Sequence, residues 1–468
     1  MATPARSLHG MIWRWHFYAG LFVVPFLVIL SLTGTVYLFE REINDALQPG
    51  LRFASSASAP SVPVGAMASA AEAALPGGRV TRIDMPEEAG RTAQLFLTTG
   101  GGEALRVFVD PPTGRVLGSH VYERTLVGFA DRMHGSLLLG DFGDAIVELA
   151  ASWTVILVLS GLYLWWPRGG RMDGKWFPRL RARRRPLWRD IHQVVGLYTG
   201  ALIVFLVVTG LPWATIWGGQ VLAPVSNAAN LGYPEGSRRA MQSTAGPVAA
   251  VMPDAPWTLH QAPMPASTGG GACGGGHHHE DVAACPAASA VSLDRAVEIL
   301  AAAGMPGGYR LSLPRGERGV YMAVAYPHQP EAQRTVHIDQ YSGEILGDVG
   351  FREYGAVAKA VELGVAIHMG RYFGLANQLL MLLPCIGILA LVTTGTVMWW
   401  KRRPKGELAA PPRAERPVPP GLLAIIAGLG ILFPLAGASM LVVGLVDGLQ
   451  RACRGWARRL AGARRVRP

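Results

Sequence analysis

The chain has 468 residues, half of them hydrophobic, with a formal net charge of +11. The basic excess does not mark a nucleic-acid binder, because it gathers into short segments beside long apolar runs. Five such runs, Phe17 to Phe39, Ile146 to Trp166, Val194 to Trp217, Leu375 to Trp400 and Leu422 to Val446, each approach the roughly 20 residues that a helix needs to cross a bilayer. The expected fold class is therefore an α-helical polytopic membrane protein embedded among lipids.

In chain order, residues 1–40 form the first transmembrane helix. It carries Arg6 and Arg14 on its amino-terminal side and reads as a retained anchor, since no small-residue cleavage site follows it. Residues 41–145 form an outer domain. Residues 146–217 hold the second and third transmembrane helices around the loop 167–190, whose nine Lys and Arg place it in the cytoplasm by the positive-inside rule. Residues 218–374 form a second outer domain containing a His-rich insert, 264–286. Here His277, His278 and His279 precede Glu280 and Asp281 on a Gly-rich stalk, a composition that either binds divalent metal or forms a solvated insertion. Cys273 and Cys285 flank that tract, and an oxidising compartment permits a disulfide between them. Upstream, PWTLHQAPMP offers Trp257, His260 and Met264 either as a ligand site or as the core of a small domain.

Residues 375–400 form the fourth helix and 401–420 a cytoplasmic linker that begins with KRRPK. Residues 421–468 add a membrane segment and a tail with seven Arg. A single crossing leaves that tail outside, against the charge rule, whereas a re-entrant hairpin broken at Pro434 returns it to the cytoplasm. Both courses remain open.

The chain is an internal duplication. RWHFYAGLFVVPFLVILSLTG aligns on its histidine with RDIHQVVGLYTGALIVFLVVTG at a constant offset of 176 residues. Gly20 then matches Gly196, and Gly34 matches Gly210. MHGSLLLGDFG and IHMGRYFGLAN match likewise, with His134 and His368 each 31 residues ahead of the first Trp of a Trp-Trp pair. VFVDPPTGRVLG and VHIDQYSGEILG repeat the alternation and acidic turn of a β-hairpin. Each half thus has two helices and a small α+β outer domain, and both halves run in parallel through the membrane.

Duplication places four histidines in two pairs, His16 with His192 near the inner face and His134 with His368 near the outer face. Facing imidazoles on adjacent helices can ligate haem iron axially, and Gly20 and Gly196 would leave room for a flat macrocycle. No C-x-x-C-H sequence occurs, so two non-covalent b-type haems in a four-helix bundle are expected. Binding of another metal and purely structural roles stand as alternatives. Arg14, Arg132 and Arg371 lie beside three of these histidines in sequence, where a cation favours a haem propionate or an anionic chelate. No G-x-G-x-x-G after a strand, P-loop or H-E-x-x-H is present, so electrons would come from outside the chain, from quinol or a cytoplasmic reductase.

RWHFYAGL, the D-x-x-TG hairpin, MHGSLLLG, DIHQVVGLYTG, IHMGRYFG and the two Trp-Trp helix ends resemble the PepSY-associated transmembrane family of bacterial inner-membrane proteins. That family includes iron-regulated membrane proteins and haem-containing ferric-siderophore reductases. The resemblance implies PepSY-like periplasmic domains, a bacterial inner membrane, and an oxidoreductase that passes electrons to a periplasmic ferric-siderophore or other metal-chelate to release iron. Two alternatives are a transporter of a metal-chelate and a non-catalytic, membrane-anchored PepSY regulator.

Overall fold

The structure, a computed structural model, describes residues 4–168, 173–181, 185–234, 237, 247–260, 262–267, 290–403 and 418–464. His277, His278, His279, Cys273 and Cys285 lie outside the described residues. Along the chain, the helices used below are α1 (Pro4–Leu38), α2 (Glu40–Leu47), α3 (Val64–Ala74), α4 (Leu126–Ser136), α5 (Gly140–Trp165), α6 (Arg185–Gly210), α7 (Trp257–His260), α8 (Leu293–Ala302), α9 (Ala356–His368), α10 (Leu375–Arg402), α11 (Pro420–Leu432) and α12 (Pro434–Arg464). Strands β1 (Arg79–Asp84), β2 (Ala93–Thr98), β3 (Ala104–Val109) and β4 (Val116–His120) lie between α3 and α4. Strands β5 (Tyr309–Ser312), β6 (Val320–Ala325), β7 (Arg334–Asp339) and β8 (Ile345–Gly350) lie between α8 and α9. The chain divides into two compact units, one of Met1–Ser31, His134–Trp217 and Leu383–Pro468, the other of Leu32–Met133 and Gly218–Leu382.

In the first unit, four helices are long and apolar enough to cross a membrane: Leu8–Leu38, Gly140–Trp165, Pro186–Trp213 and Leu375–Arg402, of which α1 and α10 run on into the second unit. Helix is the expected form there because lipid offers no partner to a bare backbone N–H or C=O. The first and third helices begin earlier than their apolar runs, at Pro4 and Arg185. Intrahelical hydrogen bonding tolerates Trp13, Arg14, Trp188 and Arg189 in the added turns, and an apolar-run criterion does not count them. His16 and His192 therefore sit well inside their helices rather than at the first residue. Between α5 and α6 the basic loop is tied down. Buried Asp190 accepts from Arg179 Nε at 2.7 Å, Gln193 donates to the Gly174 carbonyl at 2.8 Å, and the Trp165 indole donates to the Lys175 carbonyl at 3.0 Å.

The last apolar run is broken at Pro434 into α11 and α12, which pack on each other across the break. Phe433 at the break is buried with Val155 and Leu211. The indole of Trp217 donates to the Leu432 carbonyl at 2.8 Å, and that of Trp153 to Ser439 Oγ at 3.0 Å, so polar groups at the interruption have partners. At 13 residues α11 is about 20 Å long, short of the roughly 30 Å hydrocarbon core.

The second unit carries one antiparallel sheet of eight strands in the order β4-β3-β2-β1-β5-β6-β7-β8. It is two four-stranded meanders joined edge to edge, with Arg82 opposite Ser312, Ile83 opposite Leu311 and Asp84 opposite Arg310. The two outer segments of the chain therefore share a sheet. Each meander has its preceding helix on the same face: Met67 and Ala71 of α3 cover Leu95, Leu97 and Val107, and Leu300 of α8 covers Leu311, Val336 and Ile338. At about 25 cal/mol per Å², each fully buried Leu or Ile contributes about 2 kcal/mol. The two helices meet where Gly65 N donates to Asp294 Oδ1 at 2.8 Å.

The repeated hairpins fold alike. A register shift follows Phe108 in β3 and His337 in β7, and the turns close through Gly114 and Gly343 at φ +68° and +74°. Buried Asp110 receives Ser55 N at 2.9 Å, Ser55 Oγ at 2.7 Å and Thr113 Oγ1 at 2.5 Å. Burial alone would raise the Asp110 carboxyl, but these hydrogen bonds outweigh it and hold the group below its usual range.

Candidate functional site

The inner pair is built on α1 and α6. His16 Nδ1 lies 2.9 Å from Ser160 Oγ, and His192 Nδ1 lies 2.9 Å from Thr394 Oγ1. Ser160 donates its single hydroxyl hydrogen to the Leu157 carbonyl at 3.1 Å, and Thr394 donates to the Ala390 carbonyl at 2.7 Å. With its hydrogen on that carbonyl, each hydroxyl accepts from the ring, and the ring then carries its hydrogen on Nδ1 and its lone pair on Nε2. Each ring is also hydrogen-bonded to a backbone carbonyl, that of Leu157 for His16 and that of Leu391 for His192.

The helix opposite each ring has a glycine beside it. A Cβ built on Gly161 would stand 3.3 Å from His16 Cε1, and one on Gly395 would stand 3.6 Å from His192 Cε1. Ser160-Gly161 and Thr394-Gly395 thus form two matched seats, each made of a hydroxyl against Nδ1 and a glycine against Cε1; a Cβ would be tight at Gly161 and an ordinary contact at Gly395. His16 and His192 also fall within electrostatic reach of each other. Of the two glycines expected to leave room for a macrocycle, Gly20 faces open space, whereas Gly196 abuts Leu391 at 3.5 Å.

His134 lies near the end of α4 in the first unit, and its ring is hydrogen-bonded to the Leu30 carbonyl. His368 is the last residue of α9 in the second unit. The glycines six residues beyond them, Gly140 and Gly374, both have φ +60°, so each histidine-bearing helix is separated by a left-handed residue from the membrane helix that follows. On α9, Glu362 is buried and accepts from Thr258 N at 2.9 Å, Thr258 Oγ1 at 2.7 Å and Gln333 Nε2 at 3.1 Å. Burial pushes its carboxyl up despite those bonds.

The three arginines differ in setting. Arg14 donates to the Tyr18 hydroxyl at 3.4 Å and lies 5.1 Å from that ring. Arg132 is exposed on α4. Arg371 pairs with Glu40 at 3.5 Å, so its charge is met by a carboxylate of the chain itself. Trp257 and Met264 are buried in a hydrophobic cluster and His260 is partly buried, which makes residues 256–260 and 262–264 part of the core under the sheet.

Ser160 and Thr394 were visible in the sequence as the [ST]-G step before each Trp-Trp pair. Their bonds to histidines far away in the chain need the helix packing. Glu148 carried no sequence signal: buried in α5, it accepts from Ile216 N at 3.3 Å and Trp217 N at 3.1 Å.

The inner pair thus shares one setting, a hydroxyl 2.9 Å from Nδ1 and a glycine against Cε1, in both halves of the chain. No curated relative matches the chain. A family model matches from the Trp-Arg-Trp-His stretch within α1 to the basic end of α10, spanning both seats and the whole sheet. The chain belongs to the family of the PepSY-associated TM region, matched over residues 13–402.

Proposed function

We propose that this membrane protein carries electrons through two b-type haems to a ferric chelate, such as a ferric siderophore, on the periplasmic side of a bacterial inner membrane, and so releases iron. The observation that supports the reading is the matched setting of His16 and His192, each with a hydroxyl 2.9 Å from Nδ1 and a glycine against the ring. When bound, haem supplies reversible one-electron chemistry that no side chain here can supply.

The chain's own residues bind and orient. His16 and His192 would hold the haem, Ser160 and Thr394 would orient their rings, and Gly161 and Gly395 lie against those rings. The second pair, His134 and His368, rests on the repeat in the sequence. Neutral ligands suit the membrane interior, where an ionised side chain is costly. The eight-stranded sheet would carry the chelate, and Fe(II), softer and of lower charge than Fe(III), is held less tightly by oxygen-rich chelators. Electrons would enter from quinol or a cytoplasmic reductase.

The test uses full-length protein in detergent, reduced with dithionite, desalted and mixed anaerobically with a ferric chelate and a ferrous-specific chromophore. Reoxidation of the visible bands with stoichiometric trapping of Fe(II) is expected. Reoxidation by air but not by the chelate would contradict the reading.

A further inference from the structure

The face of β6 and β7 turned away from α8 holds a group the haem reading does not use. Met322 and His337 are directly opposed in the register, so their side chains project from the same face with Cβ atoms about 5 Å apart. Residues 247–260 and 262–264 cover this face, and Met252 and Met264 of that cover pack in one cluster with Met322, Val324 and Trp257. His337 is 1% exposed, and neither ring nitrogen has a hydrogen-bond partner among the described residues. On the other side of Met322 in the sheet, Ser312 is equally buried and its hydroxyl likewise has no partner among them.

Packing alone does not call for an imidazole here. The matching position in the first meander is Phe108, at the same register shift of the repeated hairpin, so the fold is served by an apolar ring. A buried imidazole with both nitrogens unpaired costs free energy that a ligand would recover. Burial holds the His337 pKa down at about 4, so the ring is neutral at physiological pH and keeps a lone pair for a metal.

We propose that His337, with the thioethers of Met322, Met252 and Met264, forms a site for a soft monovalent metal ion, Cu(I) above all. Thioether and imidazole donors without thiolate select Cu(I) over hard cations. The site is independent of the haem reading, since it lies on the sheet and uses none of the four paired histidines.

The test uses the full-length protein in a background with His277, His278 and His279 changed to Ala and the four cysteines to Ser, which removes the His-rich tract and every thiol. Titration with Cu(I) under anaerobic reductant against a chromophoric Cu(I) chelator should leave one equivalent on the chain. H337F should lose that equivalent, and M322L should weaken it at least tenfold. Phe stands at the matching position and Leu is close in volume to Met, so both variants should keep the parent's circular dichroism. Failure of the background chain to retain Cu(I), or equal retention by H337F, would overturn the proposal.

Discussion

A hydroxyl group decides which nitrogen of His16 is available. When Ser160 gives its hydrogen to the Leu157 carbonyl, the ring donates to it from Nδ1. Removing that hydroxyl frees the ring to turn and to change tautomer. Loss of such an outer partner costs metal sites about 10- to 100-fold in affinity. Ser160→Ala and Thr394→Val should each lower the haem-to-protein ratio of purified material, and Ser160→Thr should restore it, because Thr394 already performs that role in the other half. Unchanged haem content in both hydroxyl-deleted variants would show that the rings need no orienting partner. Asp110 makes a separate prediction at this scale. Its folded-state pKa is depressed, so its contribution is present above the unfolded carboxyl pKa and is lost as pH falls through the lower, folded value. Asp110→Asn should destabilise the protein near neutrality by about 1–3 kcal/mol. The gap in melting temperature should close in acid below the ordinary carboxylate range, and a gap independent of pH would argue against a charged acceptor.

At the scale of elements, existence was legible and boundaries were not. Four apolar runs gave four long helices because hydrocarbon length sets the run. The extra turns before His16 and His192 mix Arg14 and Arg189 with Trp, so no apolar pattern marks them. Pro434 announced a break, and the break is there, but only packing places Phe433 against Val155 and supplies Trp217 to the Leu432 carbonyl. The glycines after His134 and His368 were legible as interruptions, and their φ of +60° gives the physical reason. Gly374→Ala should cost roughly 1 kcal/mol because a Cβ disfavours the left-handed region. Gly10→Ala, within the regular helix α1 and with open space around its Cβ position, should be neutral or slightly stabilising. Thermal unfolding of the two variants separates the cases, and equal effects would deny Gly374 a conformational role.

For the molecule as a whole, the duplication read from matched histidines extends into the sheet. Both meanders repeat the same turn and the same register shift, and they join through β1 and β5. That junction was not legible, since strand pairing between residues 82–84 and 310–312 is non-local and leaves no local pattern. The contact of Gly65 with Asp294, where an added Cβ would stand 2.7 Å from Oδ2, was hidden for the same reason. Gly65→Val should part α3 from α8 and lower the melting temperature, whereas Ser69→Val, one turn on and exposed, should not. The His337 and methionine cluster likewise emerged only once the register was known. The repetition of the histidines was legible, since His16 matches His192 and His134 matches His368 within repeated motifs, but the hydroxyl partners Ser160 and Thr394 emerge only from packing.

The most direct test of the central claim is haem stoichiometry in the purified full-length chain, measured by pyridine haemochrome against protein and compared between wild type and His192→Ala. The account predicts two b-type haems per chain, falling to one in the variant. Wild-type protein without a Soret band, or a stoichiometry untouched by His192→Ala, would contradict it.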